Sequence, residues 1–212
     1  MAHYAITSDP EPIRLFKSDF LEFFTHISPI TVLIIWVPII LYMVFSEVVS
    51  GIARQASLWY VLGAFLVGLF IWTPTEYLLH RFLFHYRPRN PFQERIIYLF
   101  HGIHHHQPQC KTRLVMPPVV SIPMAAIFFG LFYLVVGILF HAPDWVKPMI
   151  GGFSFGYLAY DMTHYAVHHL PMRRGWLKYI KRYHMMHHYK TPDQRFGVSS
   201  PLWDIVFNTK PE

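Results

Sequence analysis

The chain has 212 residues, of which 53% are hydrophobic and 14% charged, and its mean hydropathy is +0.28. This composition is too apolar for an ordinary soluble domain and indicates one membrane-embedded, all-α domain over residues 1–212. The one cysteine, Cys110, excludes an internal disulfide and a metal site built from several thiolates. The formal charge of +6 comes without a nucleic-acid-binding motif, so no nucleic-acid partner is expected.

Four stretches with almost no charged residues predict about four membrane-spanning helices. They run from Ser28 to Ser46, Ala56 to Thr75, Leu114 to Pro143, and Pro148 to Tyr160. The first three reach the length of about 20 residues that a spanning helix needs. The fourth reaches it only by continuing through Asp161 and His164, so its inner end must face protein or a polar cavity.

The distribution of basic residues predicts the orientation of these helices. With four spans, Arg54 and Lys147 fall on one side of the membrane and the other Lys and Arg residues on the opposite side. Because basic residues are enriched in cytoplasmic loops, the second side is predicted to be cytoplasmic. Both termini would then be cytoplasmic, in a bacterial inner membrane or the endoplasmic reticulum. Two basic amphipathic helices, Phe92 to His106 and Met172 to His188, are expected to form a cap at this surface.

Short histidine clusters follow the predicted spans on this same side. They comprise His80 and His85; His101, His104 and His105; His164, His168 and His169; and His184, His187 and His188. Residues three or four apart share one face of a helix, so most members of each cluster offer convergent imidazoles. Imidazole is a common metal ligand that suits Zn, Cu, Fe and Ni. The clusters therefore predict a metal centre.

The number of histidines predicts two metal ions rather than one. A structural zinc site uses four ligands and a catalytic one three, whereas these clusters hold enough side chains for two larger sites. Adjacent helical residues diverge by about 100° at 3.6 residues per turn. Neighbours such as His104 and His105, or His187 and His188, are therefore expected to bind different ions.

These motifs resemble those of the fatty acid 2-hydroxylases, in the membrane-bound fatty acid hydroxylase and sterol desaturase superfamily. The resemblance rests on His80 to His85, on His101 to His105, on Tyr160-Asp161 before His164, and on His184-Met-Met-His-His188 followed by Phe196-Gly-Val-Ser-Ser-Pro-Leu-Trp-Asp204. It covers nearly all of the chain from Glu76 onward. The first 75 residues are similar only in having two predicted spans.

The resemblance implies a di-iron, non-haem monooxygenase that uses O₂ and electrons to hydroxylate C2 of a long fatty acyl or lipid chain. It implies one ion held by His85, His101, His104, His164 and His184, and another by His80, His105, His168, His187 and His188. A fused haem electron-carrier domain does not fit within 212 residues, so electrons are expected from a separate protein. Zinc is expected to compete for both sites, because imidazole sites bind Zn²⁺ more tightly than Fe²⁺.

Two acidic residues lie one helical turn before predicted ligands. Asp161 precedes His164, and Glu76 precedes His80, so either carboxylate is placed to accept an N–H from a ligating imidazole. Asp161 also lies in an otherwise uncharged span, which makes it the predicted catalytic acidic residue. Asp204 has a weaker claim, since a carboxylate there can simply cap a C-terminal turn.

Two other functions use some of the same features. A desaturase or sterol-type hydroxylase of the same superfamily would share the metal site but form another product, and the segment from Phe196 to Asp204 favours the 2-hydroxylase. A zinc or copper transporter would need polar residues at mid-membrane. The predicted spans have almost none, and the histidines cluster at one face.

Overall fold

The computed structural model describes residues 5–7, 9 and 11–211, and every regular element in that part of the chain is helical. In chain order, the helices are α1 Asp19–Phe23, α2 Pro29–Ala53, α3 Trp59–Leu78, α4 Pro91–Ile97, α5 Ile103–His106, α6 Pro118–Phe132, α7 Pro143–His169, α8 Gly175–Tyr189 and α9 Leu202–Val206. Three π-helical turns adjoin these helices, at Leu79–Phe84 after α3, Tyr98–Gly102 between α4 and α5, and Tyr133–Leu139 after α6. The prediction of an all-α chain is confirmed.

Within the described residues, three helices are long and apolar enough to cross a membrane. They are Pro29–Ala53, Trp59–Phe84 and Pro118–Leu139. Large apolar side chains such as Ile34, Tyr42, Phe70 and Ile127 are exposed along them, as lipid-facing side chains are. The fourth predicted span lies in α7, a continuous helix of 27 residues that carries Asp144, Lys147 and Asp161. The predicted count of four spans remains a prediction.

Two of the apolar helices extend beyond the charged residues that ended the predicted spans. Helix α2 continues past Glu47, and α3 continues past Glu76. Both carboxylates are buried and paired: Glu47 accepts hydrogen bonds from Arg54 (2.6 Å) and Tyr60 (2.9 Å), and Glu76 accepts from the backbone of Val198 (2.9 Å). A buried carboxylate with such partners can lie within an apolar helix without ending it.

The described residues divide into two compact units with boundaries inside α3 and α7. The first unit comprises Met1–Ser28, Pro74–Val115 and Tyr160–Glu212, and the second comprises Pro29–Thr73 and Met116–Ala159. In the second unit, α3 and α7 approach closely at Gly68 and Gly152. A Cβ on Gly68 would lie 1.9 Å from the Met149 carbonyl oxygen, and one on Gly152 would lie 1.9 Å from that of Phe65. Only glycine permits this backbone contact.

The N-terminal segment of the first unit is tied to the loop that follows α5. The backbone N–H of Ile13 donates to Gln107 Oε1 (2.9 Å), and Gln107 Nε2 donates to the Glu11 carbonyl (2.9 Å). The Arg113 guanidinium donates to the Ile13 carbonyl and to the Glu22 carboxylate. Gln107 and Arg113 are both buried. These contacts fix the chain immediately after the histidines of α5.

Candidate metal centre

A π-helical turn brings the first two clustered histidines together. The backbone N–H of His85 donates to the carbonyl oxygen of His80 at 3.0 Å, which is the five-residue hydrogen bond of a π-helix. Their ring centroids lie 4.8 Å apart. A second π-helical turn, Tyr98–Gly102, carries His101. Isolated π-helical turns are frequent at functional sites, because they change which side chains share a face.

Five buried histidines form the first candidate ligand group. Its members are His80, His85, His101, His105 and His187, and their ligand nitrogens all lie within 4.8 Å of one another. The Nε2 atom of His101 lies 3.0 Å from Nε2 of His80 and 3.0 Å from Nε2 of His105. The Nε2 atoms of His187 and His85 are 3.1 Å apart. Four helical segments thus point their imidazole nitrogens at one point.

The second candidate group has the same size and composition. Its members are His104, His164, His168, His184 and His188, again with ligand nitrogens within 4.8 Å of one another. The Nε2 atom of His188 lies 3.0 Å from those of His104 and His184, and Nε2 of His184 lies 3.0 Å from that of His168. The two groups adjoin, because the rings of His105 and His188 stack with centroids 4.2 Å apart.

These nitrogen separations fit metal coordination. An ion bound to imidazole at about 2.1 Å, with ligands at right angles, places neighbouring nitrogens about 3.0 Å apart and opposite ones about 4.2 Å apart. Hydrogen bonds cannot explain the same contacts, since a neutral imidazole has one N–H and His101 Nε2 faces two other Nε2 atoms. The side chains therefore fit two ions bound by five imidazoles each.

Six clustered histidines outside the apolar helices are favoured in their neutral form by their surroundings. Burial, reinforced by neighbouring imidazoles, lowers the pKa well below its ordinary range at His101, His104, His105, His184, His187 and His188. A neutral imidazole has a free lone pair on one nitrogen, which is the form that binds a metal ion. The protein environment thus prepares these side chains for ligation at neutral pH.

The grouping differs from the partition that the family resemblance implies. The structure joins His101 with His80, His105 and His187, and it joins His104, His164 and His184 with His168 and His188. The expected partition combined His85 and His101 with the second group. It also combined His168 and His188 with the first, so it differs from the grouping in the structure at four positions. Adjacent residues do belong to different groups, His104 apart from His105 and His187 apart from His188, as their divergence on a helix requires.

The segment Gln194–Ser199 contacts two members of the first group through its backbone. His187 Nδ1 donates to the Gln194 carbonyl oxygen at 2.7 Å, and His80 Nδ1 donates to that of Phe196. A carbonyl only accepts, so Nδ1 carries the proton in both rings. The lone pair is then on Nε2, which faces the centre of the group. Sequence reasoning did not find these two carbonyls, because backbone groups leave no trace in residue type.

Two buried carboxylates hold this segment. Asp204 accepts from the backbone N–H groups of Phe196 (2.8 Å) and Gly197 (2.7 Å). Glu76 accepts from the backbone of Val198 (2.9 Å) and Ser199 (2.8 Å) and from the Ser199 hydroxyl. The structure thus gives Glu76 a role in anchoring a segment, where the sequence predicted an imidazole acceptor. Asp204 is fully buried and does more than cap a turn.

Asp161, the predicted catalytic residue, is buried on α7 three residues before His164. Among the described residues, both candidate ligand groups consist of histidine alone, so Asp161 is a ligand in neither. Its position one turn from a member of the second group is the one predicted. The catalytic role of its carboxylate remains a proposal.

Comparison with known proteins places these features in a family. A family model described as fatty acid hydroxylase matches residues 65–209. Dihydroceramide fatty acyl 2-hydroxylase FAH1 of Arabidopsis thaliana is 36% identical over 209 residues, covering 99% of this chain and 84% of the relative. Fatty acid 2-hydroxylase of Rattus norvegicus is 36% identical over 216 residues, covering 93% of this chain and 56% of the relative.

The fold also matches a solved structure, that of full-length scs7p, in which only the hydroxylase domain is visible. The similarity has a TM-score of 0.82 at 34% identity and covers 92% of this chain and 70% of the solved one. Ceramide very long chain fatty acid hydroxylase SCS7 of Saccharomyces cerevisiae is 35% identical over 211 residues, covering 98% of this chain and 50% of the relative. With its all-helical fold and its two histidine groups, the chain belongs to the fatty acid hydroxylase family.

Proposed function

We propose that this chain is a membrane monooxygenase that hydroxylates C2 of a long fatty acyl chain, with two iron ions bound by its ten clustered histidines. The observation that carries the proposal is the pair of adjoining, buried, all-histidine groups, whose nitrogens are spaced for metal coordination. In the proposed reaction, one oxygen atom of O₂ enters the C–H bond and the other leaves as water, with two electrons and two protons supplied. A separate electron-transfer protein supplies the electrons.

The chemistry needs an oxidant stronger than any side chain, and two bound iron ions with O₂ would supply it. The chain's own residues would hold the ions, keep their ligands neutral and exclude water. Uncharged ligands leave the positive charge of the ions uncompensated, unlike the carboxylate-rich sites of soluble di-iron bundles. The buried Asp161 is the proposed source of a compensating negative charge, through the imidazole of His164.

The substrate proposal rests on the names of the relatives. FAH1 is named for the 2-hydroxylation of a dihydroceramide fatty acyl group, and SCS7 for a ceramide very long chain fatty acid. Three helices with the length and composition of membrane spans support a substrate that is itself a lipid. We propose that the histidine groups and both termini face the cytoplasm, at a bacterial inner membrane or the endoplasmic reticulum.

Reconstitution with defined metals tests the proposal. Protein stripped of metal in detergent is loaded anaerobically with Fe²⁺ or with Zn²⁺, then given ¹⁸O₂, a reductant and an electron carrier. A long-chain free fatty acid, its thioester and a ceramide are offered separately, and products are analysed by mass spectrometry. We expect ¹⁸O at C2 of one of these chains with iron only, since imidazole sites also bind Zn²⁺ but zinc has no redox chemistry.

Three outcomes would contradict the proposal. A new double bond without oxygen would identify a desaturase, and oxygen on an added sterol would identify a sterol-type hydroxylase. The iron assignment fails if the Fe²⁺ form oxidises no lipid while the Zn²⁺ form catalyses a reaction.

A further inference from the structure

We propose that Glu76 and Asp204 are positioning residues that make the first histidine group the tighter of the two metal sites. They would act through the backbone of the segment Gln194–Ser199, which orients the imidazoles of His80 and His187. The proposal rests on the metal sites of the proposed function, but not on the reaction or on the identity of the metal.

One short segment orients two imidazoles of the first group. Both Nδ1–H groups donate to backbone carbonyls of one short segment, His187 to Gln194 and His80 to Phe196. The two rings come from α8 and from the π-helical turn after α3, so a single segment sets two ligands of the same group. An imidazole held in this way needs no reorientation when an ion binds, which raises its affinity.

Asp204 contacts the same peptide units. Its Oδ1 accepts from the Phe196 N–H and from the Thr209 hydroxyl (2.7 Å), and its Oδ2 accepts from the Gly197 N–H. Asp204 is fully buried, so its charge is balanced by these donors rather than by water. A Cβ on Gly197 would lie 2.0 Å from the Ser200 carbonyl oxygen. The segment is therefore closely packed next to the carbonyl that receives His80.

Glu76 lies in the helix that leads to His80 and holds the other end of the segment. Its Oε1 accepts from both the Val198 and the Ser199 N–H groups. Glu76 lies in α3, four residues before His80, which is in the π-helical turn that extends α3. The same helical segment therefore carries the ligand His80 and the carboxylate that holds the segment whose Phe196 carbonyl orients His80. Together the two carboxylates bind four consecutive backbone N–H groups, from Phe196 to Ser199.

In the part of the chain that the structure describes, more imidazoles of the second group than of the first lack such a hydrogen bond. The Nδ1 atoms of His168, His184 and His188 are buried and make no hydrogen bond to a described protein atom. In the first group, His85 Nδ1 is in the same condition, while His80 and His187 are both held. Two groups with identical ligands therefore differ in how their imidazoles are supported, and this difference predicts unequal affinities.

Each metal site is tested alone in a chain that lacks one ligand of the other metal site. The His164→Ala chain keeps the first group intact, and the His101→Ala chain keeps the second. Each purified full chain is titrated with Co²⁺ against a competing chelator, and the visible absorption of bound Co²⁺ reports its ligand geometry. We expect tighter binding in His164→Ala. Adding Asp204→Asn should weaken binding about 10–100-fold in that background and leave it unchanged in His101→Ala.

Variants of Glu76 distinguish a loss of ligand orientation from a general destabilisation of the fold. Glu76→Ala should weaken Co²⁺ binding only when the first group is intact, and Glu76→Gln should restore most of it, since an amide oxygen still accepts both N–H groups. Glu47→Gln is the matched control, because Glu47 is an equally buried carboxylate hydrogen-bonded to Arg54 and Tyr60. It should leave both affinities unchanged. These variants also test the inference if Asp204→Asn does not fold.

Several results would overturn the inference. It is wrong if both sites bind Co²⁺ equally, if Asp204→Asn weakens both sites by the same factor, or if folded Glu76→Ala binds as the parent does. Failure of the unmodified chain to bind any Co²⁺ would instead reject the metal sites of the proposed function. Intact binding without lipid oxidation would reject the proposed reaction and leave this inference standing.

Discussion

The backbone N–H of His85 donates to the carbonyl oxygen of His80, and this π-type hydrogen bond places two histidines five residues apart in one ligand group. In a regular α-helix, only residues three or four apart would share a face. The local change of helix type therefore determines which imidazoles share an ion, and it makes a specific prediction about metal content.

Replacing ligands in pairs should release metal according to the two groups. His80→Ala and His85→Ala should each lower the metal content from about two ions per chain to about one, and the double variant should lower it no further. The combination His80→Ala with His104→Ala, one from each group, should leave almost none. Metal is measured by elemental mass spectrometry on the purified variants.

The neighbouring His106 provides the control for these variants. It ends α5 beside the ligands but belongs to neither group, and its Nδ1 lies 3.0 Å from the Tyr98 hydroxyl. His106→Ala should keep both ions. If the His80→Ala, His85→Ala chain binds no metal while His80→Ala alone binds one ion, the grouping is incorrect.

Asp161→Asn should keep both metal ions but lower turnover about 10–100-fold. The amide can still accept a hydrogen bond, yet it cannot supply the negative charge that raises the basicity of a nearby imidazole. The exposed Asp144 on the same helix is the control, and Asp144→Asn should leave turnover unchanged. Metal content and turnover are measured on the same preparations. Full activity of Asp161→Asn would show that the charge is not needed.

The metal-free protein should lose stability as the pH falls. Burial lowers the pKa of six clustered histidines in the folded chain, while the unfolded chain titrates near a pKa of about 6.5. Below that pH, the unfolded chain binds more protons than the folded one. The contribution of these histidines to the free energy of unfolding is therefore fully present above about pH 6.5 and decreases below it. Thermal unfolding midpoints at about pH 7.5 and pH 5.5 measure the difference.

The exposed His141 serves as the control for this pH dependence. It lies between α6 and α7 with a positive φ of 52°, and His141→Asn is a substitution that this backbone conformation accepts. The variant should show the same decrease of the midpoint with pH as the parent. A midpoint that does not change between these pH values would mean that the clustered histidines titrate alike in both states.

The orientation of the apolar helices can be tested by cysteine labelling. In a Cys110→Ser background, single cysteines at Glu94 and Lys190 should react with an impermeant reagent from the cytoplasmic side. A cysteine at Ser57, between α2 and α3, should react from the opposite side, because Arg54 and Lys147 are the basic residues predicted there. All three positions are exposed. Reaction of Glu94 and Ser57 from the same side would reject the predicted topology.

Hydropathy and spacing predicted the helices and the histidine clusters, and the family resemblance implied the ten candidate ligands. Neither predicted how the histidines divide between the two groups. The helix from Phe92 to His106 is present as α4, a π-helical turn and α5, and the helix from Met172 is present as α8 from Gly175. Those features depend on periodicity along one segment. The partition of the histidines depends on which segments face each other, and a strict α-helical period cannot place His80 beside His85.

The two anchoring carboxylates show a second limit of sequence reasoning. Glu76 binds backbone groups more than 120 positions away at Val198 and Ser199, and no local spacing relates these residues. The segment from Phe196 to Asp204 was identified by resemblance alone. The Phe196 carbonyl accepts from His80, and the Phe196 ring lies against the rings of His80, His85 and His187. These contacts arise from the tertiary fold, and no spacing along the chain indicates them.

The first compact unit contains both histidine groups and is assembled from three separate stretches of chain, Met1–Ser28, Pro74–Val115 and Tyr160–Glu212. This arrangement constrains the order in which the protein is made. His187 belongs to the first group, and His184 and His188 belong to the second, so both groups depend on α8. Because a ribosome delivers the chain from its N-terminus, the three apolar helices emerge and can enter the bilayer before either ligand set exists. Neither metal site can be completed before α8 has been synthesised, so metal binding can follow the entry of these helices into the bilayer.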